Sequence, residues 1–129
     1  MRVRLLTLIL FQAVAFLSCR TIADLPPYSP GSVRRPVELN GLDGQKQYLE
    51  SLRTGRDEEG QVDFEFEKTI PGFDNHWLDV YLISPPEPAS VVEEKLEEKP
   101  DRMRLYLDGY HPEKDSRTAP LPPGYFRAR

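Results

Sequence analysis

A chain of 129 residues with a formal charge of −4 has room for one small domain and its appendages. Acidic side chains outnumber basic ones by 21 to 17, which argues against a nucleic-acid partner, because a phosphate backbone requires a basic face. A single cysteine excludes a disulfide staple and a zinc–thiolate site, and 13 prolines, all beyond residue 25, predict a compact middle between extended ends.

Residues 1–18 read as a secretory signal. Arg2 and Arg4 form a positive start, and Leu5 to Leu17 is an apolar run broken only by Thr7 and Gln12. That run is shorter than the roughly 20 apolar residues a helix needs to cross a bilayer, so the segment targets the chain and is then removed. Without it, 15 basic side chains face 21 acidic ones. The run ends in Phe16-Leu17-Ser18-Cys19, which resembles the lipobox of bacterial lipoproteins in its small residue and obligatory cysteine, with Phe16 and Leu17 as relaxed positions. The resemblance covers only the first 20 residues. It implies that Cys19 is acylated and becomes the mature N-terminus, which fixes the protein to a membrane through two or three acyl chains. Arg20 is not the aspartate of an inner-membrane retention signal, so the expected address is the outer membrane, facing the periplasm. Ordinary cleavage after Ala15 or Ala23 remains the alternative, at the cost of an unpaired exported thiol.

Residues 19–40 carry Pro26, Pro27, Pro30 and Pro36, and their composition predicts an extended, semi-rigid spacer after the lipidated cysteine. The small domain is then expected over residues 41–110. Its first element is a short helix within 41–55, capped by Asp43, with Tyr48, Leu49 and Leu52 on one face and Gly55 at its end. The charged residues 56–59 read as a solvated loop. In residues 62–69, Val62, Phe64 and Phe66 alternate with Asp63, Glu65 and Glu67, the pattern of a strand with one buried and one wet face.

After a turn over 71–76, residues 77–83 are apolar on both faces. This places them in the interior of the sheet. Ser90 and Glu93 form a capping box for a helix over 91–98, and residues 102–110 give a third strand that ends at Asp108-Gly109. The long connection from 84 to 101 suits a crossover. The expected fold is α+β: a three-stranded sheet in β-β-α-β order with one preceding helix.

Residues 111–129 are polar and proline-rich, predicting an extended tail. Its Pro-Pro-Gly-Tyr stretch matches a WW-domain ligand pattern, but a cytosolic reader contradicts an exported chain. Tyr125, Phe126, Arg127 and Arg129 are instead expected to dock a partner, being the residue types that anchor interfaces.

No catalytic constellation emerges. His76 and His111 neighbour no nucleophile pattern, there is no glycine-rich phosphate loop, and Glu65 with Glu67 lies on a solvated face that does not split their acidities. Asp74, His76 and Asp79 offer mixed nitrogen and oxygen ligands, yet Asp74-Asn75-His76 reads more simply as a hydrogen-bonded turn, and no metal or cofactor is assigned. Two functional expectations follow. The first is a non-catalytic lipoprotein, a membrane-anchored accessory or structural subunit among other envelope proteins. The second is a secreted or periplasmic ligand-binding module whose surface is lined by Trp77, Tyr81, Tyr106 and Tyr110.

Overall fold

The computed structural model describes residues 21–55, 60–87 and 100–128. In chain order these form β1 (Ile22–Asp24), β2 (Val37–Glu38), α1 (Gly41–Ser51), β3 (Leu52–Arg53), β4 (Phe64–Pro71), β5 (Trp77–Ile83), β6 (Arg102–Asp108) and β7 (Phe126–Arg127). The α+β class follows directly, with five strands in the main sheet where three were expected. Cys19, the signal segment, the loop at 56–59, the helix expected over 91–98 and Arg129 lie outside the described residues.

The strands run in the order β1-β6-β5-β4, and β2 also pairs with β6. β4 and β5 form the expected antiparallel hairpin, with Phe66 opposite Tyr81 and Ile70 opposite Leu78. β5 lies inside the sheet, as its two apolar faces require. The crossover reading is corrected: β6 runs antiparallel to β5, with Tyr81 opposite Leu105 and Asp79 opposite Leu107. The parallel partners of β6 come instead from the N-terminal segment. β1 pairs with its start (Ala23 opposite Met103) and β2 with its end (Val37 opposite Leu107). Between them the Tyr106 amide donates to the Gly31 carbonyl at 2.9 Å, so the intervening loop stays against the same edge.

This overturns the spacer. Leu25, Val37 and Leu39 are buried in the main core, and four prolines did not prevent it because Pro26, Pro27, Pro30 and Pro36 all fall outside the ladder positions. The tail is likewise no tail. Ala119 and Tyr125 are core residues, the Tyr125 hydroxyl donates to the Ser84 carbonyl, Tyr48 donates to the Pro120 carbonyl at 2.7 Å, and β7 pairs with β3. Its apolar side chains have a helix and a strand to cover, and the burial of Ala119, Leu121 and Tyr125 together with these hydrogen bonds offsets the cost of ordering the segment.

α1 turns Gln45, Tyr48 and Leu49 toward the sheet. Asp43 sits in its first turn, and the capping position is Asn40, whose side chain makes no cap bond. The core unites this helix face with Ile83, Leu105 and Leu107 and with the two terminal segments. No β4 side chain joins it, because a helix about 10 Å wide spans roughly two strands spaced about 4.8 Å apart. Phe64 and Phe66, expected to be buried, are therefore 36% and 56% exposed, and both rest edge-on against the Tyr81 ring. A bulge at Glu67 then inverts the alternation, and the Glu67 carboxylate accepts from Arg104 Nε at 3.1 Å on the other face.

Candidate functional site

Because β5 and β6 are antiparallel, the turn that precedes β5 and the turn that follows β6 meet at one end of the sheet. The first carries Asp74 and His76, the second Asp108 and His111. Asp108 is fully buried, and its Oδ2 lies 2.9 Å from His76 Nδ1 and 3.0 Å from His111 Nε2. Its Oδ1 accepts from the Tyr110 amide at 3.1 Å, which fixes the carboxylate so that Oδ2 faces both imidazoles. Asp74 repeats the device. Oδ1 accepts from the His76 amide at 3.3 Å, and Oδ2 stands 3.4 Å from His76 Nδ1. On its far side His111 Nδ1 meets Glu38 Oε2 at 2.8 Å and Glu113 Oε1 at 3.3 Å. The imidazoles pack edge to face with centroids 5.3 Å apart, and the Tyr110 ring lies against His76 at 5.1 Å.

The electrostatics follow from these contacts. Burial alone pushes the Asp108 carboxyl up, but hydrogen bonds from His76, the Tyr110 amide and His111 more than offset it and hold the group below the usual carboxylate range. Burial pulls the His111 imidazole down, and its bonds to Asp108 and Glu113, aided by the charge of Glu38, raise it above the ordinary value. A cavity of about 250 Å³ opens beside the cluster, lined in part by Arg34, Glu38, Phe73 and Asp74. The Arg34 guanidinium is held over Phe73 and Tyr28 at 5.2 and 5.5 Å.

The residues singled out from sequence separate. Asp79 does not join His76; it receives Gln45 Nε2 at 3.0 Å and Thr69 Oγ1 at 2.9 Å. Of the four proposed ligand-surface aromatics, Trp77 and Tyr110 share a cleft of about 250 Å³ with Gln45, Thr69 and Asp79. Tyr81 is packed against the core instead, with Phe64 and Phe66 over it, and the Tyr106 hydroxyl is 3.4 Å from Asp24 Oδ1. The single aromatic surface is corrected to this pair: Tyr106, opposite Val80, points to the other face of the sheet, and Tyr81, on the same face as Trp77, is taken up by the core and by Phe64 and Phe66. Tyr125 is buried, and Phe126 and Arg127 are half-buried in pairing with β3, so these three dock within the chain. Arg127 Nη2 donates to the Ala119 carbonyl. Asp108 and Glu38 were not anticipated as partners of the histidines. The available signal was the pair Asp74-Asn75-His76 and Asp108-Gly109-Tyr110-His111, each an acid followed closely by histidine at a strand end.

Compared with protein-family descriptions, curated proteins and solved structures, the chain has no significant match in any of the three. Among the described residues no helix is long and apolar enough to cross a membrane.

Proposed function

We propose that this chain is a non-catalytic, lipid-anchored accessory protein of the cell envelope that meets a partner protein along β4. The anchor in this reading is Cys19, supported by the signal segment and the lipobox-like residues before it. The observation that carries the docking role is the exposure of β4: eight residues at the sheet edge, with Phe64 and Phe66 uncovered on one face. Long edge strands are normally shielded, and an exposed aromatic edge is the natural acceptor for a strand added by another chain. The partner is a protein offering an extended segment, with apolar side chains over Phe64, Phe66 and Tyr81.

Intact mass of the mature protein from its native host tests the anchor: an acylated N-terminal Cys19 is expected, and a soluble chain beginning at Asp24 refutes it. A photo-crosslinking residue in place of Phe66 tests the surface. It is expected to trap an envelope protein that the same probe at the exposed Lys46 of α1 does not. Equal yields from both positions, or none from Phe66, remove the docking role.

A second reading is favoured by the Trp77–Tyr110 cleft, whose exposed rings and polar Gln45, Thr69 and Asp79 suit a small hydroxylated ligand. Trp77 is the sole tryptophan, so its fluorescence reports directly on such binding. A saturable shift with a sugar is expected on this reading, and an unchanged spectrum sinks it.

A further inference from the structure

The histidine–carboxylate cluster serves neither the docking edge nor the anchor, and it does not depend on either. Its groups face one another in an arrangement that a neutral imidazole cannot satisfy. Neutral histidine carries one N–H, yet both ring nitrogens of His111 point at carboxylates: Nδ1 at Glu38 and Glu113, Nε2 at Asp108. One of those nitrogens therefore presents a lone pair to an anionic oxygen unless the ring is protonated or a cation lies between them. His76 turns only Nδ1 to carboxylates, toward Asp74 and Asp108 together, so that one ring nitrogen stands between two anionic oxygens. Four carboxylates surround two imidazoles, and one of the four, Asp108, is without solvent exposure. Arg34 and Arg35 line the adjoining cavity, but neither forms an ion pair with the cluster among the described residues. Arg34 is stacked on Phe73 and Tyr28, and Arg35 Nη1 reaches the Tyr28 carbonyl.

A divalent ion supplies two positive charges at a single point and leaves both imidazoles neutral. The donor atoms are already grouped for it. One ligand atom each from Asp74, His76, Asp108 and His111 lies within 4.8 Å of all the others. Tetrahedral zinc, with bonds of about 2.0–2.2 Å, needs donors about 3.3–3.6 Å apart; the 3.4 Å separation falls in that range, and those of 2.9 and 3.0 Å need only open by a few tenths of an ångström. Two nitrogens and two carboxylate oxygens form a borderline set that suits a first-row transition ion better than calcium, which takes six or more oxygens. Glu38 supplies the outer support such sites use: a carboxylate on the far ring nitrogen fixes the tautomer and turns the Nε2 lone pair inward. The adjoining cavity gives the ion a way in.

We propose that Asp74, His76, Asp108 and His111 bind one divalent transition-metal ion, through Nδ1 of His76, Nε2 of His111 and one oxygen of each aspartate, with Glu38 positioning His111.

The test uses the full mature chain, extracted in detergent, stripped with a chelator and titrated with zinc and then with cobalt(II). One equivalent per chain is expected, with cobalt giving the intense visible absorption of a four-coordinate site. His76→Gln and His111→Gln are each expected to lower affinity at least 100-fold. Since these changes also touch a buried aspartate, Glu38→Gln provides the independent measurement: it lies at the rim and is expected to weaken binding about 10–100-fold with an unchanged circular dichroism spectrum. Zinc uptake equal to that of the double histidine variant, an octahedral cobalt spectrum, or full affinity in Glu38→Gln overturns the assignment.

Discussion

Replacing Tyr125 by alanine asks whether the last 19 residues belong to the fold. The side chain is 5% exposed, its hydroxyl donates to the Ser84 carbonyl, and its ring sits in the main core. Burying an aromatic removes about 150–250 Å² from water, or roughly 4–6 kcal/mol at about 25 cal/mol per Å², an upper bound because unfolded chains are partly compact. Truncations of buried aromatics cost about 3–5 kcal/mol, and that is the expected loss here. With a urea slope of about 1.5–2 kcal/mol per molar, the unfolding midpoint should fall by about 2 M. Trp77 fluorescence and far-ultraviolet circular dichroism, followed together, measure it. Tyr125→Phe keeps the ring and forfeits only the hydrogen bond, so about 1 kcal/mol should be lost. A free tail would tolerate either change within about 0.5 kcal/mol, and that result for Tyr125→Ala refutes the docked arm.

Gly31→Ala should destabilise by about 2–3 kcal/mol in the same assay, because φ is +92° and a methyl group would stand 2.5 Å from Leu105 Cδ1 and 3.1 Å from Leu25 Cδ1. An unchanged midpoint would mean that the loop does not press against β6. Gln45→Ala strips a donor from Asp79 at a position only 1% exposed, and a cost of about 1–3 kcal/mol is expected from denaturant curves. Alkaline spectrophotometric titration should show delayed tyrosine ionisation. Burial drives the Tyr48 phenol well above its ordinary value despite the opposing charge of Arg127, and burial does the same at Tyr125. Their folded values are raised, so the stability they contribute is intact below about pH 10 and declines as pH rises past it, with both phenols ionising only on unfolding. Six equivalent tyrosines titrating together in a folded chain would contradict this.

The strands at 64–71, 77–83 and 102–108 and the helix after residue 40 were legible because local periodicity follows from which face is buried. What escaped was relational. Nothing in Ile22-Ala23-Asp24 or Phe126-Arg127 marks them as strands; they are short segments that pair because β6 and β3 offer an edge. Proline content pointed to loose ends, yet the prolines sit in the turns of segments whose leucines and tyrosine fill the core. Phe64 and Phe66 have an impeccable alternation, but alternation cannot reveal that the helix stops short of their strand. The site was lost through one step. A crossover after β5 would have put His76 and His111 at opposite ends of the sheet, whereas the antiparallel arrangement brings both to Asp108.

The early entry of the chain into the sheet bears on how such a domain would stand on a bilayer. Thr21 is already hydrogen-bonded to Asp101 and Ile22 is paired with β6, so an acyl group on Cys19 would be separated from rigid structure by less than about 10 Å of backbone. On the proposal that Cys19 carries the anchor, such a leash would be too short for reach or free rotation. It would press the Arg102 end of β6 toward the headgroups and hold the Asp108 end, about 20 Å along the strand, pointing into the aqueous space.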